Sequence, residues 1–87
     1  MRPLFQEVLH RFADGKERSR QMIQGELRDT YGNFKAFKDH QMDEALHTAM
    51  SNGLMAESRW ELDENGKLVM YYQSDADMCD LINNYIK

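Results

Sequence analysis

The 87-residue sequence holds one cysteine and one proline, and none of its apolar runs approaches the roughly 20 residues needed to cross a bilayer. A lone Cys79 cannot close an internal disulfide, so a disulfide-stapled secreted scaffold is excluded and a reducing, cytoplasmic setting is expected. The N-terminal stretch Met1-Arg2-Pro3-Leu4-Phe5 passes straight into an amphipathic pattern, without the apolar segment of a secretory signal. No repeat and no low-complexity tract is present. A net charge of −4 argues against a chain that coats nucleic acid by bulk charge. A hydrophobic content of 41% is too high for disorder, and the length suits one domain spanning residues 1–87.

Cys79 sits among Asp75, Asp77 and Asp80, which oppose thiolate formation, so it is expected to be an inert filler. No Ser/His/Asp order, Gly-rich phosphate loop or paired-cysteine motif occurs. The sequence therefore predicts a protein that is not an enzyme and needs no cofactor.

Periodicity divides the chain. Leu4, Phe5, Val8, Leu9 and Phe12 form one stripe of a helix over residues 3–13, opened by Pro3 and closed by Asp14-Gly15. A second helix covers residues 16–32 with Met22, Ile23, Leu27 and Tyr31 inward, and Gly25 is expected at a close packing contact. Phe34, Lys35, Phe37 and Lys38 follow in a connector. The third helix starts at an Asp39 N-cap, carries Met42, Ala45, Leu46, Ala49 and Met50, and stops at Asn52-Gly53.

The period then changes to two. Residues 58–62 and 68–73 read as strands joined by Asn65-Gly66, the strongest hairpin signal. A two-residue loop would set Leu62 opposite Val69 and Trp60 opposite Tyr71, giving an apolar face rooted on the helices. Ser74 caps a last helix, residues 74–87, whose stripe is Met78, Leu81, Ile82, Tyr85 and Ile86.

The expected fold is thus mainly α with a β-hairpin: a winged helix-turn-helix of three helices, a two-stranded wing and a C-terminal helix. The stretch Asn52-Gly53-Leu54-Met55, Ser58-Arg59-Trp60-Glu61, Asn65-Gly66-Lys67 and Tyr71-Tyr72 resembles the PadR-type winged-helix regulators over roughly residues 46–74. The resemblance implies a dimeric, DNA-binding transcriptional regulator. Where that family begins its recognition helix with a Gly-Thr-Leu-Tyr-Pro-type sequence, this chain has His40-Gln41-Met42-Asp43-Glu44.

In such a fold the exposed face of the third helix reads bases while flanking cations hold phosphates. The expected contacts to double-stranded DNA are Arg18, Arg20, Lys35, Lys38, His40, Gln41, His47, Thr48 and Lys67. His40, Glu44 and His47 also share one helix face at spacings that metal ligands use, although exposed histidines explain them as well. Met78, Leu81, Ile82 and Tyr85 are expected to build a homodimer interface. Charge is uneven: residues 1–40 carry +2 and residues 41–87 carry −6. That distribution keeps open a second use of the same fold, a protein-contact module or phage- or plasmid-borne accessory factor that does not bind DNA.

Overall fold

The computed structural model describes residues 3–32 and 37–86. In chain order it has α1 (Leu4–Phe12), β1 (Arg18–Ser19), α2 (Arg20–Tyr31), α3 (Asp39–Ser51), β2 (Ala56–Leu62), β3 (Leu68–Gln73) and α4 (Ala76–Tyr85). The strands form one antiparallel sheet in the order β1-β3-β2. This is an α+β fold of four helices and three strands, so the expected two-stranded hairpin gains a third strand. Arg18 and Ser19 pair with Tyr72 and Tyr71, which ties the hairpin to the segment entering α2.

The core gathers Val8, Leu9 and Phe12 from α1, Ile23 and Leu27 from α2, Met42 and Leu46 from α3, and Ile82 from α4. Each such side chain contributes on the order of 1.5–3 kcal/mol through burial. Met22, expected inward, is exposed, whereas Gln24, turned toward Asp39 of α3, is buried.

Local chemistry sets the helix ends. Ser19 Oγ accepts from the Met22 N–H at 3.3 Å and caps α2. At the end of α3, Leu54 N–H donates to Ala49 O at 2.9 Å and Gly53 N–H to Met50 O at 3.0 Å. Gly53, at φ +71°, supplies the left-handed turn this double closure requires. Two expected caps shift by one residue. Lys38 holds the cap position of α3 without a side-chain bond, freeing Asp39 for other partners. Asp75 caps α4 by accepting from Met78 N–H at 2.8 Å, while the buried Ser74 hydroxyl donates to Leu54 O at 2.6 Å.

The hairpin register also differs from expectation. Asp63 Oδ1 accepts from the backbone N–H groups of Asn65 (2.8 Å) and Lys67 (2.9 Å), and Gly66 N–H donates to Asp63 O at 3.0 Å. Gly66 alone in the turn has positive φ (+76°), so the loop is three residues with a glycine bulge, not an Asn-Gly type I′ turn. Leu62 therefore pairs with Leu68, Trp60 with Met70, and Arg59 with Tyr71, with a bulge between Glu57 and Arg59.

Candidate functional site

The face expected to meet DNA begins with how α2 holds α3. Arg20, at the start of α2, donates from Nη1 to Asp43 Oδ2 at 3.1 Å and lies 3.7 Å from Asp39. One turn on, Gln24 Nε2 donates to Asp39 Oδ1 at 3.1 Å. Asp39 and Asp43 thus face α2, and Arg20 counters their charge. His40, Glu44, His47 and Thr48 stand exposed on α3 beside and beyond that acidic edge, Gln41 is half-buried, and exposed Lys38 precedes the helix. Lys67 is exposed at the hairpin loop. Lys35 lies outside the described residues.

Two of the expected phosphate contacts have other work. Arg18 is buried, donating from Nη1 and Nη2 to Asp14 Oδ1 and Oδ2 at 2.8 Å each, and from Nε to Glu26 Oε2 at 2.7 Å. Nη1 also reaches Arg11 O at 2.9 Å, and the guanidinium lies 5.8 Å from the Phe12 ring centre. The fork from Arg18 pulls the Asp14 carboxyl down from 3.8 to about 2. Arg18 is a structural hub instead of a surface cation, and Arg20 is half-buried in its pairing with α3. Arg11 approaches Glu7 and Glu26 at 3.6 Å each. Among the described residues, the cations without an ion pair are Lys16, Arg28, Lys38 and Lys67.

The hairpin has two unlike faces. On one, Glu17 accepts from Ser58 Oγ (2.6 Å) and Arg59 Nε (2.8 Å), Arg59 Nη1 donates to Glu61 (3.0 Å), and Tyr71 Oη donates to Glu61 at 2.5 Å. The Arg59 guanidinium stacks 3.9 Å from the Tyr71 ring centre. Hydrogen bonding to Tyr71 lowers the Glu61 pKa, and the same bond raises that of Tyr71. The other face carries the pairs Trp60–Met70 and Leu62–Leu68. It runs inward to Tyr72, which packs on the core, but Trp60, Leu62 and Leu68 are 62%, 61% and 60% exposed. The expected root of Trp60, Leu62, Val69 and Tyr71 on the helices is thereby corrected: the three-residue turn shifts the register, and the hairpin projects past the bundle. Alternation of side chains predicts an apolar face; it does not show that nothing among the described residues covers it.

On α4, Ile82 is buried in the core, Met78 is half-buried, and Leu81 and Tyr85 are exposed. The expected interface quartet is therefore split, because α4 packs on α1 through Ile82. The Tyr85 ring meets Phe5 edge to face at 6.1 Å. Cys79 borders an open groove of about 750 Å³ between the end of α1, the base of the hairpin and the start of α4. Burial, then Asp14, Asp75 and Asp80, raise its pKa and disfavour the thiolate. Among the described residues, no three His, Cys, Asp or Glu side chains converge as a metal requires, His40, Glu44 and His47 included. No helix among them is long and apolar enough to cross a membrane.

No protein-family model matches this chain, and neither a curated protein nor a solved structure matches it.

Proposed function

We propose that the chain is a winged-helix DNA-binding module of an intracellular transcriptional regulator, with α3 as the reading helix and the β2–β3 hairpin as the wing. The observation that carries this reading is the clamp between Arg20 and Asp43. It pairs Asp39 and Asp43 with α2 and leaves His40, Glu44, His47 and Thr48 outward, so that Glu44 is the one acid on that face, with Lys38 at the head of the helix. A polar helix face, fixed against its neighbour and flanked by cations, is what major-groove readout uses. β1 supports the same reading, since it anchors the wing to the strand entering α2. Of the expected phosphate contacts, Lys38 and Lys67 keep that role while Arg18 and Arg20 are drawn into ion pairs, and Lys16 and Arg28 add further charge without an ion pair. The resemblance to PadR-type regulators in residues 46–74 points the same way.

Fluorescence polarisation with random duplex DNA at 50 and 200 mM salt tests the proposal. Four phosphate contacts imply affinity falling about a hundredfold between those salts. Lys38→Glu with Lys67→Glu should abolish binding at the higher salt. No binding at the lower salt, or unchanged binding by the double variant, overturns the DNA reading.

A second reading is favoured by the pairing of Arg11, Arg18, Arg20 and Arg59 with carboxylates. With those four cations neutralised, the α3 face would serve a protein partner, and the chain would show no DNA affinity at any salt.

A further inference from the structure

The uncovered apolar face of the hairpin belongs to an open sheet edge. In the order β1-β3-β2, β2 is paired on one side only, and all seven of its residues are exposed. Natural sheets blunt such edges with proline, charge or bulges. Here the bulge between Glu57 and Arg59 interrupts one end, and no proline follows it. Residues 59–62 remain as a free ladder beyond the bulge.

Its hydrogen-bonding parity follows from the turn. Asp63 N–H donates to Lys67 O at 2.9 Å, so Asp63 points its backbone at β3. Alternation then turns Glu61 and Arg59 toward β3, and leaves the N–H and C=O groups of Leu62 and Trp60 on the open edge.

We infer that this edge pairs with the same edge of a second copy, antiparallel and centred on Trp60, joining the two sheets into one. The charge pattern selects that centre. With Trp60 opposite Trp60, Arg59 of each copy faces Glu61 of the other, two opposite-charge pairs in register. Centring on Arg59 sets Arg59 against Arg59, and centring on Glu61 sets Glu61 against Glu61. The Trp60 register also makes the central pair hydrogen-bonded, since its backbone groups already face outward. It brings the two indoles side by side and merges the apolar faces of both hairpins around a two-fold axis.

The α4 surface suits a second copy less well. Exposed Leu81 and Tyr85 are accompanied by Asp77 and Asp80, and the helix carries no cation in its last turn. Self-pairing there would offer Asp77 and Asp80 no cation of α4 to face.

A ladder of this length buries less than the roughly 800 Å² per partner of a standard interface, so the dimer is expected in the micromolar range. Sedimentation velocity of the wild-type chain should show a monomer–dimer equilibrium, and Trp60→Lys should raise its dissociation constant at least about tenfold. Because Trp60 is exposed, that variant keeps its own fold, which circular dichroism checks. In a Cys79→Ser background, Trp60→Cys should oxidise to a disulfide-linked dimer, since paired strands bring the two positions within about 5.5 Å between Cα atoms. Leu81→Cys in the same background should not. A monomer up to about 1 mM, a dimer indifferent to Trp60→Lys, or cross-linking at Leu81→Cys in place of Trp60→Cys would each overturn the proposal. None of these readouts depends on DNA binding.

Discussion

Arg18 and Asp14 meet as a two-bonded fork, Nη1 to Oδ1 and Nη2 to Oδ2, both at 2.8 Å. Glu26 closes the guanidinium's third side through Nε at 2.7 Å. Arg18→Ala would leave a buried gap and take their main cation from two carboxylates, Asp14 keeping only the Lys16 N–H and Glu26 the longer approach of Arg11. Loss of one partner from a fully buried pair costs about 3–5 kcal/mol; with both acids partly in water, about 2 kcal/mol is expected here. Urea denaturation measures it, and a wild-type midpoint would show that the hub holds nothing together.

The same fork predicts a pH dependence. The Asp14 carboxyl is lowered from 3.8 to about 2, chiefly by the hydrogen bonds from Arg18. A depressed carboxylate stabilises the fold above its unfolded value and loses that contribution as pH falls through its folded value. Melting temperatures of wild type and Asp14→Asn should therefore differ at neutral pH and converge as pH drops from 3.8 toward 2. A gap that stays constant across that window contradicts the pairing.

Arg59 offers the contrast. It too contacts two carboxylates, Glu17 at 2.8 Å and Glu61 at 3.0 Å, but on an exposed sheet face. Solvent and salt screen such pairs, and entropy offsets much of what they gain. Arg59→Ala should shift the unfolding midpoint far less than Arg18→Ala, and less still in high salt. Equal effects would mean that burial is not what separates the two.

How far the sequence revealed this fold depends on which signal each element carried. Helical stripes and the Asn52-Gly53 stop located α1, α3 and α4 within a residue or two. β1 left no trace, because a two-residue strand has no alternation to read and exists only through Tyr71 and Tyr72 across from it. The hairpin was visible but its register was not: Asn65-Gly66 signals a two-residue loop, and the Asp63 carboxylate converts it to three. Among the site residues, the exposed face of α3 was legible from periodicity. The fate of Arg18 was not, since Glu26 joins it only after the chain has passed through β1 into α2.

Ser74 and Asp75 can be separated experimentally. Asp75→Ala removes the α4 cap and should cost about 1 kcal/mol. Ser74 is buried, and its hydroxyl bond to Leu54 O joins the end of β3 to the segment leaving α3. Ser74→Ala leaves that carbonyl without its partner and should cost about 1–2 kcal/mol. If Ser74 were the cap, Ser74→Ala would raise amide exchange at the start of α4; the expectation is that only Asp75→Ala does so.

Gly25 reverses its expected role. The sequence marks it for a close approach in α2, yet a Cβ there would meet nothing from another element within 4 Å, and the residue is exposed. Without a contact to protect, the glycine only adds freedom to the unfolded chain and lowers helix propensity. Gly25→Ala should therefore stabilise the protein by about 0.5–1 kcal/mol. Thermal unfolding measures the gain. A loss of stability would mean that the outer face of α2 is covered in solution, by a second copy or by another partner.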